Sequence, residues 1–181
     1  VRSGVAQISV PNDIQKQAVD TDIFIPAGVL PSLRISPDEE TLIRAAAMLD
    51  TSEKPVIIAG WGAYDYADLL ISFAKAIDAP VVSTFRAKGI LPDDHPLYAG
   101  ILGTVGSEYV RDLVQQSDLL VTLGVGFSKM TRIPEDAPIL QIDRDPLKLG
   151  KGSRSLPVYG DVGEVISRLI PMIRQRGRMT A

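Results

Sequence analysis

Glycines cluster behind apolar runs in this sequence, at points where the chain must change direction. Gly60-Trp61-Gly62 and Gly124-Val125-Gly126 each follow such a run, and glycines recur every third residue from Gly100 to Gly106. A backbone without Cβ atoms lets N–H groups approach a phosphate closely, as nucleotide-binding loops do. The dinucleotide pattern Gly-x-Gly-x-x-Gly is incomplete, because Asp65 stands at its third glycine. The glycines favour nucleotide binding, although a tight turn explains Gly60 and Gly62 equally well.

Charged side chains accompany these loops. Asp143 directly follows an apolar run, where a carboxylate can accept hydrogen bonds from a ribose or an adenine amine, and Arg144 beside it can cover a diphosphate. The alternative role of Asp143 is helix capping, which the following Asp145-Pro146 supports, because proline is favoured at the first position of a helix. We favour capping as the role of Asp161. The loop cation Arg86 meets a diphosphate or is simply solvated. The candidate cofactor-binding residues are Gly60, Trp61, Gly62, Arg86, Gly103, Gly106, Gly124, Asp143, Arg144 and Asp161.

Other kinds of site chemistry find little support. The chain has one histidine, His95, and no cysteine, so we expect neither a zinc site nor histidine-based catalysis, and we assign His95 a structural hydrogen bond. Ser83 and Thr84 complete no recognisable nucleophile triad. We therefore predict no catalytic residue and no metal ligand in this chain.

Composition bounds the class of protein. The chain has 181 residues, of which 45% are hydrophobic and 23% charged, enough for one globular domain with flanking pieces. A net charge of -3 disfavours nucleic acid as a partner. No apolar run approaches the roughly 20 residues of a membrane span. The lack of cysteine fits a reducing compartment, so we expect a cytoplasmic protein.

Alternating strands and helices must position these residues. Apolar runs predict strands at 55–60, 81–85, 119–123, 139–142 and 157–159, and helical spacing predicts helices after the first of these strands, at 107–116 and after Asp161. Strands that are apolar throughout indicate a parallel sheet covered on both faces. The predicted fold is a three-layer α/β/α, Rossmann-like, doubly wound parallel sheet of about five to six strands.

The beginning of the chain has a different pattern. Val5 to Val10 alternate apolar and polar residues before Pro11, which predicts a strand left from a preceding domain. Little periodicity follows from Asn12 to Ile35, as in an extended linker, and Ser36-Pro37-Asp38-Glu39 predicts a helix capped by Ser36. With no methionine at position 1, we expect an excised fragment: a domain tail at 1–15, a linker at 16–35, a central domain at 36–176 and a second linker from 177 to 181.

Eight blocks, in one order along nearly the whole chain, carry a resemblance to a known family. They span residues 4–15, 54–63, 79–84, 88–92, 95–100, 117–124, 137–143 and 160–162. Together they resemble the end of the N-terminal pyrimidine-binding domain and the central domain of thiamine-diphosphate-dependent enzymes of the pyruvate oxidase and acetolactate synthase type. The run from Ile133 to Pro138 is most similar to bacterial pyruvate oxidase and quinone-linked pyruvate dehydrogenase.

The resemblance implies a central domain of the deoxyhypusine-synthase-like NAD/FAD-binding type. In this family, thiamine diphosphate and Mg²⁺ lie between a pyrimidine-binding and a diphosphate-binding domain, which are then this chain's missing partners in a homo-oligomer. The activating glutamate would lie upstream of Val1, and the chain has no Gly-Asp-Gly with its downstream asparagine. The fragment is therefore expected to bind neither thiamine diphosphate nor Mg²⁺ and to be inactive alone.

The family also suggests a second cofactor. In its FAD-using branches the central domain binds FAD along the strand ends, which by motif implies Gly60, Gly62, Thr84, Gly103, Gly124, Asp143 and Asp161. Trp61 and the run Ser128-Lys129-Met130-Thr131 depart from the usual pattern beside the flavin. Two alternatives therefore stay open: a scaffold domain without a nucleotide, and a free-standing nucleotide-binding protein.

Overall fold

The computed structural model describes residues 7–20 and 34–174, and the chain divides between Leu33 and Arg34 into two compact units. The described part of the first unit contains one short helix, α1 (Asn12–Gln15). Residues 7–10 form no strand, so the predicted strand is wrong there, and Val5 and Ala6 lie outside the described residues. Helix α1 lies within the domain tail assigned to residues 1–15, and the linker assigned to 16–35 stays a prediction. Gln15 closes the helical turn, donating its backbone N–H to Pro11 and its side-chain amide to Val10.

A six-stranded sheet forms the centre of the second unit, and every strand is parallel to its neighbours. The strand order is β3-β2-β1-β4-β5-β6, which is the order of a doubly wound sheet, and the winding reverses between β1 and β4. The predicted fold class is confirmed. The strands are β1 (Pro55–Ala59), β2 (Val81–Thr84), β3 (Tyr98–Leu102), β4 (Leu119–Leu123), β5 (Ile139–Asp143) and β6 (Ser155–Tyr159).

Helices cover the two faces of this sheet unequally. Three helices pack on the face that includes Ile57 and Val121, whereas α4 and the loop between β4 and β5 cover the face that includes Val56 and Leu120. Because both faces are covered, β1 and β4 are buried along their whole length, which explains their continuous apolar sequences. The helices are α2 (Glu39–Thr51), α3 (Ala67–Ile77), α4 (Glu108–Gln115) and α5 (Val162–Leu169). No described helix is long and apolar enough to cross a membrane.

Strand β3 lies in a stretch for which the sequence predicted no strand. It contains Gly100 at φ 122°, and its register with β2 shifts between Val81 and Val82. Glycine weakens the strand pattern and often marks such an irregularity, so no apolar run reveals this strand.

The start of α2 also differs from the prediction. Asp38, and not Ser36, caps the helix: its carboxylate accepts hydrogen bonds of 2.9 Å from the backbone N–H and the hydroxyl of Thr41. The backbone hydrogen bond from Thr41 lowers the pKa of Asp38. Ile35 lies outside the helix, because its carbonyl accepts the N–H of Asp161 at 2.9 Å. The chain becomes helical only beyond Pro37.

Candidate functional site

All eleven candidate residues, Thr84 included, lie at one edge of the sheet. Each of them ends a strand or follows one, and the carboxyl ends of parallel strands share an edge. We call this edge, formed by the ends of β1 to β6 and the loops that follow them, the carboxyl edge.

The centre of the carboxyl edge consists of glycine backbones in contact with one another. The N–H of Gly62 donates to the carbonyl of Gly124 at 3.2 Å, and Gly60 donates to Leu123 at 2.9 Å. A Cβ on Gly60 would lie 2.2 Å from the Gly124 oxygen, and Gly124 itself has φ 61°. These glycines permit close packing between the loops after β1 and β4. Their amide groups are consequently engaged within the protein.

Asp143, the last residue of β5, has a carboxylate oxygen without a hydrogen bond. Its Oδ1 accepts the N–H of Asp145 at 2.8 Å, whereas its buried Oδ2 has no hydrogen-bond partner and lies 4.0 Å from the Lys148 ammonium. Burial raises the pKa of the Asp143 carboxyl, although the Asp145 N–H and the Lys148 charge oppose the shift. An unpaired buried acceptor is costly, so this oxygen is suited to a hydroxyl or amine donor from a ligand.

Asp161 is the N-cap of α5, as the sequence favoured. Its Oδ1 accepts the N–H of Gly163 at 3.2 Å and the hydroxyl of Tyr66 at 2.6 Å. The hydrogen bond to Asp161 raises the pKa of Tyr66 to about 12. The Tyr66 ring packs so closely on Gly163 that a Cβ there would lie 2.4 Å from it. The N–H of Asp161 donates to the carbonyl of Ile35, and the carboxylate of Glu164 accepts from the Ser36 hydroxyl at 3.4 Å.

The loops after β3 and β4 join each other across the carboxyl edge. Thr104 donates its N–H to the carbonyl of Met130 at 3.1 Å, and a Cβ on Gly103 would lie 2.5 Å from the same oxygen. Gly106 donates to Gly103 at 3.1 Å and closes the turn. Buried Thr131 fixes the other loop, because its hydroxyl bonds Ser128 at 3.0 Å and the Gly126 carbonyl at 3.2 Å.

The remaining candidates surround this centre. Trp61 is 57% exposed and stacks on Tyr64 with ring centroids 4.9 Å apart, within a 3₁₀ helix that spans Trp61–Tyr66. Thr84 ends β2 and is half-buried, whereas the side chains of Arg86 and Arg144 are exposed. Neither arginine is held against the glycine centre by a hydrogen bond that would fix it for a diphosphate.

Outside this edge, His95 has the predicted structural role. Its Nδ1 accepts the N–H of Leu97 at 3.2 Å. Lys88, the other cation after β2, is bound to Asp93 at 2.9 Å. Within residues 7–20 and 34–174, no group of three or more His, Asp or Glu side chains could hold a metal ion.

Sequence reasoning placed the carboxyl edge correctly but missed residues that shape it. Tyr66, Lys148 and Thr131 were not candidates, and each contacts a candidate residue or fixes the loop beside one. Local spacing gives no signal for Tyr66, since its partner Asp161 lies 95 residues away. Lys148, five residues beyond Asp143, could have been inferred from the helical turn after Pro146.

Comparisons with known proteins agree with this architecture. Residues 42–169 match the family model described as the thiamine pyrophosphate enzyme, central domain. The chain is 34% identical to the thiamine pyrophosphate-containing protein YdaP of Bacillus subtilis, over 83% of the chain and 26% of the relative. It is 30% identical to the large subunit of acetolactate synthase isozyme 1 of Escherichia coli, over 98% of the chain and 32% of that subunit.

A solved structure gives the same picture. The crystal structure of benzoylformate decarboxylase from Polynucleobacter necessarius matches with a TM-score of 0.70 at 26% identity, covering 91% of this chain and 32% of the decarboxylase. The chain thus spans about a third or less of the proteins it matches. Because the family match covers most of the sheet unit, this chain belongs to the family of thiamine pyrophosphate enzyme central domains.

Proposed function

We propose that this chain is the central domain of a longer thiamine-diphosphate-dependent 2-oxo acid enzyme, of the pyruvate oxidase or acetolactate synthase type, and that it binds an adenine nucleotide. In this proposal the parent enzyme is a cytoplasmic homo-oligomer. Its other domains hold thiamine diphosphate and Mg²⁺, which supply the chemistry of decarboxylation or carboligation. The central domain alone binds neither and does not catalyse.

The observation that carries nucleotide binding is the Oδ2 of Asp143, which has no hydrogen-bond partner and lies 4.0 Å from the Lys148 ammonium. This oxygen is buried at the end of β5, beside the point where the sheet reverses its winding. Ribose hydroxyls are the donors that an acidic residue at such a strand end commonly binds. A donated hydrogen bond would favour the ionised carboxylate and lower its raised pKa. Nucleotide binding should therefore weaken as the pH is lowered into the titration range of Asp143.

The residues at the carboxyl edge suit the ribose of FAD better than its diphosphate. Asp143 offers an acceptor to the ribose, but the N–H groups of Gly60, Gly62 and Gly124 already donate within the protein. A diphosphate usually takes such amides at a strand end. These engaged amides favour a second candidate function, in which the domain is a scaffold that binds no nucleotide and only orders its catalytic neighbours.

Calorimetric titration with ADP and with FAD separates the two functions. For the nucleotide-binding function, we expect saturable binding that Asp143→Asn weakens at least about tenfold, because hydrogen bonds to charged groups contribute about 1.5–3 kcal/mol. Asp94→Asn, in the exposed loop between β2 and β3, is the matched control and should bind like the wild type. No heat of binding at high micromolar ligand, from a chain shown to be folded, would leave the scaffold function.

A further inference from the structure

A positively charged loop joins β5 to β6, the last strand at one side of the sheet. We call it the basic loop and define it as residues 148–154, which read Lys-Leu-Gly-Lys-Gly-Ser-Arg. No Asp or Glu occurs from position 146 to position 160, in a chain whose net charge is -3. A helix usually connects parallel strands, but here one 3₁₀ turn, Pro146–Lys148, and the loop make the connection. Connecting the strands does not by itself require three cations.

One buried side chain, that of Gln141 in the middle of β5, fixes the basic loop. Its Nε2 donates to the carbonyl of Lys151 at 2.7 Å, and its Oε1 accepts the N–H of Lys151 at 3.0 Å. Gln141 is 1% exposed. A buried amide needs hydrogen bonds to both of its polar atoms, and the loop supplies both. The sheet therefore holds the Lys151 backbone in one position.

Glycines on either side of Lys151 give the backbone a course that other residues rarely adopt. Gly150 has φ 71° and Gly152 has φ 87°, both in the left-handed region, and a turn follows at positions 153 and 154. The backbone N–H groups of Gly152, Ser153 and Arg154 are successive, and they donate to no other residue that the structure describes. Successive N–H groups in turns with left-handed residues form concave sites that bind anions.

Two cations accompany these N–H groups. Lys151 and Arg154 are exposed, and neither forms an ion pair with any residue in 7–20 or 34–174. Lys148, at the start of the basic loop, differs from them because its ammonium lies 4.0 Å from the Asp143 carboxylate. Phosphate oxygens take backbone N–H groups together with lysine and arginine side chains as hydrogen-bond donors, and such charge-assisted bonds are the strong ones. The donors of a phosphate site are thus available in one short loop.

We propose that the basic loop binds the phosphate group of a small ligand. The N–H groups of residues 152–154 donate to the phosphate oxygens, and the side chains of Lys151 and Arg154 neutralise their charge. Two cations suit a single phosphate group, whereas a polyanion such as nucleic acid engages many more. The site differs from the ribose site proposed above, because Gln141 holds Lys151 beside the middle of β5, whereas Asp143 ends that strand. It requires neither a nucleotide on Asp143 nor another domain.

Titration of the ¹⁵N-labelled chain with inorganic phosphate, followed by the amide signals in nuclear magnetic resonance spectra, tests this proposal. We expect the signals of residues 152–154 to shift saturably with phosphate, and not with chloride at equal ionic strength. Lys151→Ala should weaken binding at least about threefold, because an exposed charge contributes modestly. Lys75→Ala removes an exposed cation of α3 and is the matched control, which should bind phosphate like the wild type.

Gln141→Leu separates the shape of the basic loop from its charge. This variant keeps every cation and nearly the same side-chain volume, but it loses both hydrogen bonds to Lys151. We expect phosphate binding at least about threefold weaker than in the wild type, since the free loop must be ordered on binding. Circular dichroism checks that the variant is folded. Wild-type affinity in folded Gln141→Leu would contradict a site that the sheet holds in place.

Three results of the titration would overturn the proposal. The first is the absence of a saturable shift at residues 152–154. The second is a shift of equal size beside an unrelated exposed cation such as Lys54, which would indicate general ionic attraction only. The third is a shift of the loop signals with ADP but not with inorganic phosphate, which would assign the loop to the nucleotide site. Calorimetry of Asp143→Asn with ADP is independent of these signals, so failure of phosphate binding is distinguishable from failure of nucleotide binding.

Discussion

Glycines at the carboxyl edge have roles in the packing of the protein's own loops. Gly60, Gly62 and Gly124 lie against one another, so the loops after β1 and β4 meet without side chains between them. Gly126, two residues further on, has no heavy atom within 4 Å of the position of a Cβ. Identical residues in one short loop therefore have different roles.

This difference predicts opposite results from two alanine substitutions. Gly60→Ala places a methyl group 2.2 Å from a backbone oxygen that cannot move aside, and should destabilise the fold by roughly 1–3 kcal/mol or more. Gly126→Ala meets open space and should change the free energy of unfolding by less than about 0.5 kcal/mol. Urea denaturation of both variants measures the difference. Equal stability of the two would refute the packing role of Gly60.

The hydrogen bond of Tyr66 leads to a second prediction, which concerns the pH dependence of the free energy of unfolding. Its hydrogen bond to Asp161 holds the neutral phenol in the folded state, with the pKa raised from 10.0 to about 12. The bond therefore stabilises the fold below a pH of about 10, and the stabilisation is lost as the pH rises toward 12. Tyr66→Phe should cost about 1 kcal/mol at neutral pH, since the ring is only partly buried.

The measurement is the difference in unfolding free energy between wild type and Tyr66→Phe at two pH values. We expect the wild-type advantage at about pH 8 to shrink by about pH 11, because the unfolded phenol ionises first. Tyr109→Phe, on an exposed ring of α4, is the control and should show little advantage at either pH. An advantage of Tyr66 that stays constant with pH would speak against the hydrogen bond.

Element boundaries depend on competition between local signals and distant partners. Ser36-Pro37 has the composition of a helix start, yet α2 begins at Glu39 because Asp161 binds the carbonyl of Ile35 and Arg168 binds that of Pro37 at 3.2 Å.

Asp38→Ala should lower the thermal midpoint of unfolding, because the helix loses the side chain that caps it. Ser36→Ala should leave the midpoint unchanged within error. The opposite order of effects would restore Ser36 as the cap.

The sequence predicted five strands and missed the sixth for a physical reason. Buried strands such as β1 and β4 carry uninterrupted apolar residues, which a local pattern reveals. Strand β3 lies at the edge of the sheet, is half-buried over most of its length and contains Gly100, so its position depends on pairing with β2 and not on its own composition. The 3₁₀ helix after β1 was also missed, and its last residue, Tyr66, bonds Asp161, which lies 95 residues further along the chain.

The candidate site was predicted to a similar extent. Because parallel strands end at a common edge, the five predicted strands were enough to bring nine of the eleven residues to the carboxyl edge, whereas Gly103 and Gly106 follow β3, which the sequence did not predict. The local sequence did not reveal which of these groups are already hydrogen-bonded within the protein. Contacts across the sheet engage the glycine amides, whereas they leave Oδ2 of Asp143 without a hydrogen bond.

At the scale of the whole molecule, the sheet unit has a complete hydrophobic core and one apolar edge. Helices on one face, and α4 with a loop on the other, bury the strands without help from any other chain. The carboxyl edge instead exposes side chains such as Trp61 and Phe85, and it carries the buried Oδ2 of Asp143, which has no hydrogen-bond partner.

Carbon dioxide release from pyruvate is the measurement that decides whether this domain is catalytic by itself. The folded 181-residue chain is incubated with thiamine diphosphate, Mg²⁺ and pyruvate, and the parent polypeptide serves as the positive control. We expect the chain to release carbon dioxide no faster than thiamine diphosphate alone, and the parent polypeptide to turn over pyruvate. Saturable release by the isolated chain, abolished when the chain is unfolded, would contradict the assignment of this domain as a non-catalytic centre of a larger enzyme.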